Sequence, residues 1–530
     1  MTPASESAHV EKIAARIFDT IARHFPIAAA SDEFYYFPQV QAREWHWRTW
    51  DCFCEDAVVD VVAKLAADER ELQKIDRLPS QAPATDRDIS IDVSLLHDTV
   101  RTLIEQLAEI RSWETQPTWH LTVACVGLTE AIEAEHPAAV KDRIAGLAAF
   151  LDQAARALKN VPTLFRDLGL EMVADTRDYL MMLTSRWQGL KPALDALQRF
   201  EDTLHKIPTR QDFLQPTERV SRIFQSHLKL GEDFPEIENI LEQEIRETQS
   251  VIEDIIGRTL SAGALQDAYK RIALPRVGSG GLLDLYRQQV DQLGRHCLEQ
   301  GLVSKELFRR CPVRVAPVPA YLSSTRTASS YSVPLGHPPG GGVFFIINAK
   351  NSGEENKGYQ REYRILTAHE TYPGHHLLDS NRWSHSRSIR RVIERPLFYE
   401  GWACFAEELL RLTGYFSRPD ERLMLARRRL WRAIRGKTDL GLQTGTMDLA
   451  TAARHLAKTG VPAPDATKVV RKYPLNPGYQ LCYTTGTRRF LDLIQRCGQH
   501  DLHKFAATVL SQGEIGFQDL EQVLVEAMGN

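Results

Sequence analysis

Three histidines and a glutamate fall within eight residues in the segment Leu366-Thr-Ala-His369-Glu370-Thr-Tyr-Pro-Gly-His375-His376-Leu377, in a chain that has only 17 histidines. A zinc hydrolase needs neutral imidazoles that hold the metal and leave one position open, with a carboxylate beside that position to take a proton from water. In a His-Glu-x-x-His helix, four-residue spacing puts both ligands on one face and the glutamate at the water. Here the histidines after His369 stand six and seven residues on. On a straight helix the sixth residue lies about 120° off the face; the seventh returns to within about 20° but sits roughly 10.5 Å along the axis. Pro373 excludes the straight helix, because its ring clashes with the carbonyl of His369 and it supplies no N–H. With Gly374 beside it, the backbone must kink or bulge, and a bulge can bring either His375 or His376 back toward His369.

A third ligand has to come from another element. In Phe398-Tyr-Glu400-Gly-Trp402-Ala-Cys-Phe405-Ala406-Glu407, the first glutamate follows His375 by 25 residues, room for a turn and a returning helix. Glu400 and Glu407 share a helical face flanked by Trp402, Phe405 and Ala406, and a carboxylate among apolar neighbours needs a cation. Glu400 is therefore the expected ligand, and Glu407 is placed to orient a ligand histidine from behind. The residues alone also allow a satisfied histidine cluster at a helix end.

The elements that must carry these residues are mostly helices. From residue 8 to about 310 the chain reads as amphipathic helix, including a stripe of Ile237, Leu241, Ile245, Thr248, Ile252 and Ile255 that suits core packing better than a coiled coil. Breaks fall at Leu78–Asp88 and Pro275–Gly281. Between about 313 and 350 the texture changes: Val313-Arg-Val-Ala-Pro317 and Val343-Phe-Phe-Ile-Ile-Asn348 read as short strands around turn-rich segments, a small sheet in a helical protein. The glycine clusters at 278–281 and 340–342 lack the partners of a phosphate loop. Helix returns from about 358. The expected fold is mainly α, with a helical region over 1–310 and a catalytic region over 311–530 forming one continuous unit. The strand ending at Asn348 would suit an edge that pairs with an extended peptide, and Tyr331, Lys350, Arg488 and Arg489 are candidates to meet a substrate carboxylate.

Composition narrows the partners. Over 530 residues, 65 basic side chains face 69 acidic ones for a net charge of −4, so no global field recruits nucleic acid or an anionic membrane. The arginine-rich stretch Leu425–Lys437 alternates with a core stripe of Leu423, Ala426, Leu430, Ala433 and Ile434, which leaves its arginines to solvent and acidic neighbours rather than to a nucleic acid. Eight scattered cysteines make no disulfide framework, and Cys52 and Cys54 lack the second pair of a zinc-thiolate site. The N-terminal segment lacks a secretory layout and no stretch is apolar enough to span a bilayer, so a cytoplasmic location is expected.

The histidine segment resembles the His-Glu-x-x-Pro-Gly-His-His signature of the bacterial family DUF885, which is related to the glutamate-zincin (gluzincin) metallopeptidases. The similarity runs on through Glu400-Gly-Trp-Ala, Arg432-Ala-x-Arg435-x-x-x-Asp439-x-Gly441, Arg471-x-Tyr473 and Pro477-Gly-Tyr-Gln-Leu-Cys-Tyr483-x-x-Gly486. Leu378, Gln443 and Thr484 depart from the pattern, where glutamine, histidine and a basic residue are usual. The resemblance implies a zinc peptidase with a deep channel, one side of it formed by the helical first half. It also gives Tyr483 a role as donor to the oxyanion, with Tyr479 one turn earlier as competitor.

The resulting expectation is a Zn²⁺-dependent hydrolase of amide bonds, a peptidase or carboxypeptidase on short peptides. His369, Glu400 and one of His375 or His376 are the ligands, Glu370 is the base, and Tyr483 helps at the oxyanion. Tyr331, Asn348 and Arg489 are the substrate contacts. The same site acting on a non-peptide amide, or a silent scaffold that binds peptides, are the alternatives. Glu370 argues against the scaffold, since a structural zinc site needs no base.

Overall fold

A computed structural model describes the whole chain except residues 1–2, 41–42, 44, 76–83, 279, 319–328, 333–338, 348–353, 499–500 and 530. The first half is a stack of helices. Pro3–His24, Glu55–Leu72 and Ala84–Glu105 pack on one another, followed by Pro117–Glu133, Pro137–Ala157, Thr163–Leu183 and Lys191–Lys206. A two-residue parallel pairing of Val161–Pro162 with Thr209–Arg210 links the last of these. One apolar core runs from Val10 to Leu524, so the two halves of the sequence share it.

After a short helix at Thr217–Arg222, the long helix α1 (Phe234–Ile256) starts on a capping box: the Asp233 carboxylate accepts from the amide of Glu236, and the Glu236 side chain accepts from the amide of Asp233. Ile237, Leu241, Thr248 and Ile252 are buried, as the stripe requires. Helix α2 (Gly281–Glu299) leads to the small sheet of β1 (Val313–Pro317), β2 (Ser330–Ser332) and β3 (Gly342–Ile346). Strand β3 lies in the middle, parallel to β1 and antiparallel to β2. The expected peptide-binding edge therefore is not at β3: Phe344, Phe345 and Ile346 are all buried, as in a strand covered on both faces, and β1 and β2 are the outer strands. Asn348 and Lys350 lie outside the described residues.

Five helices frame the centre: α3 (Glu354–Glu370), α4 (His375–Ser384), α5 (Pro396–Leu412), α6 (Pro419–Gln443) and α7 (Tyr479–Leu493). Helix α6 packs along α1, and α5 crosses α7 with backbone in contact. At that crossing a Cβ on Gly486 would lie 2.2 Å from the carbonyl of Leu397 and 2.6 Å from the Cα of Gly401. Only glycine allows such an approach. It brings Glu400 on α5 against Tyr479 on α7. Among the described residues no helix is long and apolar enough to cross a membrane.

Candidate metal centre

Helix α3 ends at Glu370, and Pro373 stops it as its missing N–H and ring demand. The chain then folds back on the helix end. The amide of Gly374 donates to the carbonyl of Ala368 at 3.0 Å, and that of Leu377 donates to Thr371 at 3.2 Å. A Cβ at Gly374 would stand 1.9 Å from the carbonyl oxygen of His369, so the bend needs glycine there. Helix α4 restarts at His375, whose ring comes to 4.8 Å, centroid to centroid, from that of His369. Trp402 on α5 fixes the bend from outside, its indole N–H donating to the carbonyl of Pro373 at 2.9 Å.

Glu400 completes the cluster. One ligand atom each from His369, His375 and Glu400 lies within 4.8 Å of the others, and all three residues are buried. The Glu400 Oε2 is 3.6 Å from His375 Nε2 and 3.9 Å from His369 Nε2. Nitrogen and oxygen ligands on a tetrahedral zinc ion are about 3.3 Å apart, so small side-chain movements would fit one. Oε1 accepts from the Tyr479 hydroxyl at 2.8 Å, whereas Oε2 is buried with no hydrogen-bond partner. A buried carboxylate oxygen facing two imidazole nitrogens and bonded to neither is the mark of a site shaped for a cation. Burial works against ionisation of Glu400, yet His375, His369 and Tyr479 outweigh it and bring its pKa down to about 2. Burial opposes the proton on His375 as well, but Glu400 raises its pKa.

Behind His369 stands the expected orienting group. Its Nδ1 is 3.0 Å from Glu407, which Arg432 grips through both terminal nitrogens at 2.9 and 2.7 Å. The carboxylate accepts only, so Nδ1 carries the hydrogen and Nε2 is left with its lone pair toward the cluster. Burial pushes the His369 pKa down to about 4, which favours the neutral ring. Glu407 is buried, yet Arg432 and Arg428 hold it well below the carboxylate range. These arginines of α6 turn to acidic neighbours, as one half of the expectation had it, rather than to solvent: Arg427 and Arg428 bind Glu362, Arg429 binds Glu244 and Arg432 binds Glu407.

His376 faces elsewhere. Its Nε2 is 3.0 Å from the carbonyl of Cys311, and its Nδ1 is 3.1 Å from the Tyr331 hydroxyl. Because the carbonyl can only accept, Nε2–H donates to it and Nδ1 accepts from Tyr331. Successive residues of a helix point about 100° apart, so the restart at His375 necessarily sends His376 away from His369. Tyr331 is likewise not free for substrate: its ring is buried against His376, and its backbone N–H donates to Glu370 at 3.1 Å. Burial lifts the Glu370 pKa to about 7, with His375 pulling it down and Glu400 pushing it up.

Helix α7 brings two tyrosines. Tyr479 binds Glu400, and Tyr483, its ring 6.0 Å from that of Tyr479, feels the Glu400 charge while lying under the Arg435 guanidinium at 4.8 Å. Asp439 starts this helix by accepting from the amide of Gln480 at 3.2 Å. Arg489 is turned to Glu232 and the carbonyl of Leu230, and Arg488 to Glu244 and Glu247, so neither joins the cluster. The sequence reading missed the parts of Arg432, Tyr399, stacked on His375 at 4.1 Å, and the paired glycines of the α5–α7 crossing. Arg432 and Gly486 stood in the motif, but nothing there said what they touch.

Two solved structures share the whole fold. A candidate lipoprotein of unknown function from Shewanella oneidensis superposes with a TM-score of 0.73 at 16% identity, covering 99% of this chain and 100% of its own. A candidate lipoprotein from Colwellia psychrerythraea gives 0.73 and 16%, with 100% of both chains covered. A carboxypeptidase from Pyrococcus furiosus reaches only 0.42 at 12% identity, over 98% and 95% of the two chains, too slight a likeness to bear on function. No curated protein matches the sequence significantly. Residues 48–524 match the family described as bacterial protein of unknown function (DUF885), and the chain belongs to that family.

Proposed function

We propose that this protein is a zinc-dependent hydrolase of amide bonds in short peptides. The observation that carries the reading is the convergence of His369, His375 and the unpartnered Glu400 Oε2, with Glu370 next in sequence to the first ligand. Zn²⁺ suits the two-histidine, one-carboxylate donor set and would supply Lewis-acid polarisation of the scissile carbonyl and of water.

The side chains divide the remaining work. Glu407, clamped by Arg432, keeps His369 in the tautomer whose Nε2 can ligate. Glu370, with a pKa raised to about 7, is poised both to take a proton from the attacking water and to return it to the leaving amine. Its bond from the Tyr331 amide holds the carboxylate in place. The Tyr479 hydroxyl is held by Glu400, and the Tyr483 phenol, one turn on and also facing Glu400, is the donor assigned to the developing oxyanion. His376 serves the frame, tying α4 to the carbonyl that precedes β1.

Metal content of the wild type and of His369→Ala, His375→Ala, His376→Ala and Glu400→Ala, with hydrolysis of a short-peptide panel, tests this. About one zinc per chain is expected in the wild type and in His376→Ala, and little in the other three. A folded wild type that takes up no zinc, or a His376→Ala variant that alone loses it, overturns the reading.

A further inference from the structure

Arg435 differs from the other arginines around it on α6. Arg427, Arg428, Arg429 and Arg432 each bind a carboxylate, and Lys437 binds Glu242. Among the described residues Arg435 has no carboxylate within ion-pairing distance. Its guanidinium lies over the Trp431 ring at 4.2 Å and the Tyr483 ring at 4.8 Å, and one terminal nitrogen donates to the side-chain carbonyl of Gln480. Its Nε is buried with no hydrogen-bond partner, and the hydroxyl of Tyr473 lies beside the guanidinium. The two acidic groups close by are engaged elsewhere: Asp439 accepts from Gln443 and the Gln480 amide, and Glu400 accepts from Tyr479 through one oxygen and turns the other to the histidines. An enclosed cation with no carboxylate of its own and a donor unused, sandwiched between two aromatic faces, is organised to receive an anion from outside the chain.

We infer that Arg435 is the specificity residue of the site and receives the free C-terminal carboxylate of a short peptide, so that the enzyme acts as a carboxypeptidase. The inference rests on the hydrolase reading above and names its substrate class. Position sets the reach. The guanidinium stacks directly on the ring whose hydroxyl would meet the scissile carbonyl, and an extended peptide advances about 3.5 Å per residue. A carboxylate held by Arg435 therefore lies one or two residues beyond the bond that is cut, and the product released is a single amino acid or a dipeptide. This assigns to Arg435 the part that the sequence suggested for Arg489, whose guanidinium is taken by Glu232.

The test compares benzoyl-capped tripeptides that end in a free carboxylate with the same peptides ending in a carboxamide. The zinc-loaded wild type is expected to prefer the acid by at least roughly 10–100-fold in kcat/KM, the usual scale of a charge-assisted bidentate contact. In Arg435→Met, which keeps much of the stem between Trp431 and Tyr483, the acid-to-amide ratio is expected to collapse toward one, chiefly through KM, with zinc content retained. Arg435→Lys should recover part of the preference, as a charge without the planar fork. Equal use of acid and amide by the wild type, or a preference that survives in Arg435→Met, overturns the assignment. Should Arg435→Met fail to fold, the wild type's ratio and the Lys variant decide. Calorimetric binding of the two peptides to the zinc-loaded Glu370→Gln protein separates the two readings. Acid-selective binding without turnover in the wild type refutes the hydrolase and keeps the carboxylate site, whereas turnover without acid selectivity does the reverse.

Discussion

Gly486→Ala tests whether the α5–α7 crossing sets the geometry of the centre. The new methyl carbon would stand 2.2 Å from the Leu397 carbonyl and 2.6 Å from the Gly401 Cα, distances that real Cβ atoms do not show. Both obstacles are backbone, so no side chain can swing aside, and the helices must part by roughly 1 Å to reach ordinary contact. Overpacking of this kind costs about 1–3 kcal/mol of stability. The same displacement acts on the bond from the Tyr479 hydroxyl to Glu400, now 2.8 Å long, and would stretch it past hydrogen-bonding range. It also withdraws Tyr483 from the carbonyl it would serve, and a misplacement of that size can lower a rate by about 10²-fold. The measurements are the thermal midpoint, zinc affinity by competition with a chelating dye, and kcat/KM on the best peptide. Gly278→Ala serves as control, because a Cβ there meets nothing within 4 Å. If Gly486→Ala matches Gly278→Ala in all three, the crossing is not what places Glu400 and the tyrosines.

Three further outcomes are expected. Glu407→Gln leaves the buried Arg432 without its anion, so it should lose about 3–5 kcal/mol in denaturant unfolding and weaken zinc binding roughly 10–100-fold; a stable variant with unchanged zinc affinity contradicts the orienting role. His120 is buried, which lowers its pKa to about 4 despite the bond to the Trp113 carbonyl. The unfolded chain then binds the extra proton first: the stability His120 contributes is complete above about pH 6.5, fades as the pH falls toward 4, and amounts to about 3 kcal/mol. His120→Gln should flatten the stability profile in that window, and parallel profiles for variant and wild type would dismiss this. Added zinc at about 100 times its Kd should stabilise the wild type by about 2.7 kcal/mol and a chelator should remove the effect, while the midpoint of His375→Ala should not respond to either.

Several residues of the centre were legible because their types are improbable where they stand. His369, Glu370, Glu400 and Glu407 are polar groups on faces that otherwise read as apolar, and Pro373 forbids the one conformation that would have separated the histidines. The choice between His375 and His376 was not legible, since it depends on the residue at which the helix restarts, and the bond from Gly374 to Ala368 decides that. Periodicity along α6 showed the apolar stripe but hid which arginines turn inward, because an arginine with a buried anion reads the same as one in water. Arg489 and Tyr331 were good candidates by type alone. What each touches, Glu232 in one case and His376 in the other, belongs to segments far away in sequence. The edge expected of the strand that starts at Val343 failed for the same reason: a short apolar run does not say whether it has one neighbour or two.

The bend after α3 has one more consequence. When both histidines sit on one continuous helix, the separation of the donor atoms is built into the helical repeat and cannot drift while the helix lasts. Here the separation is held by contacts between elements: Gly374 on the end of α3, and the Trp402 indole on the carbonyl of Pro373. The bite of the chelate is therefore a tertiary quantity. It can be widened or narrowed by substitutions that touch no donor atom, and it is lost as a whole if α5 comes away. An ion that fits the bite would in turn hold α5 against the bend, so that docking of this helix and loading of the site form a single equilibrium.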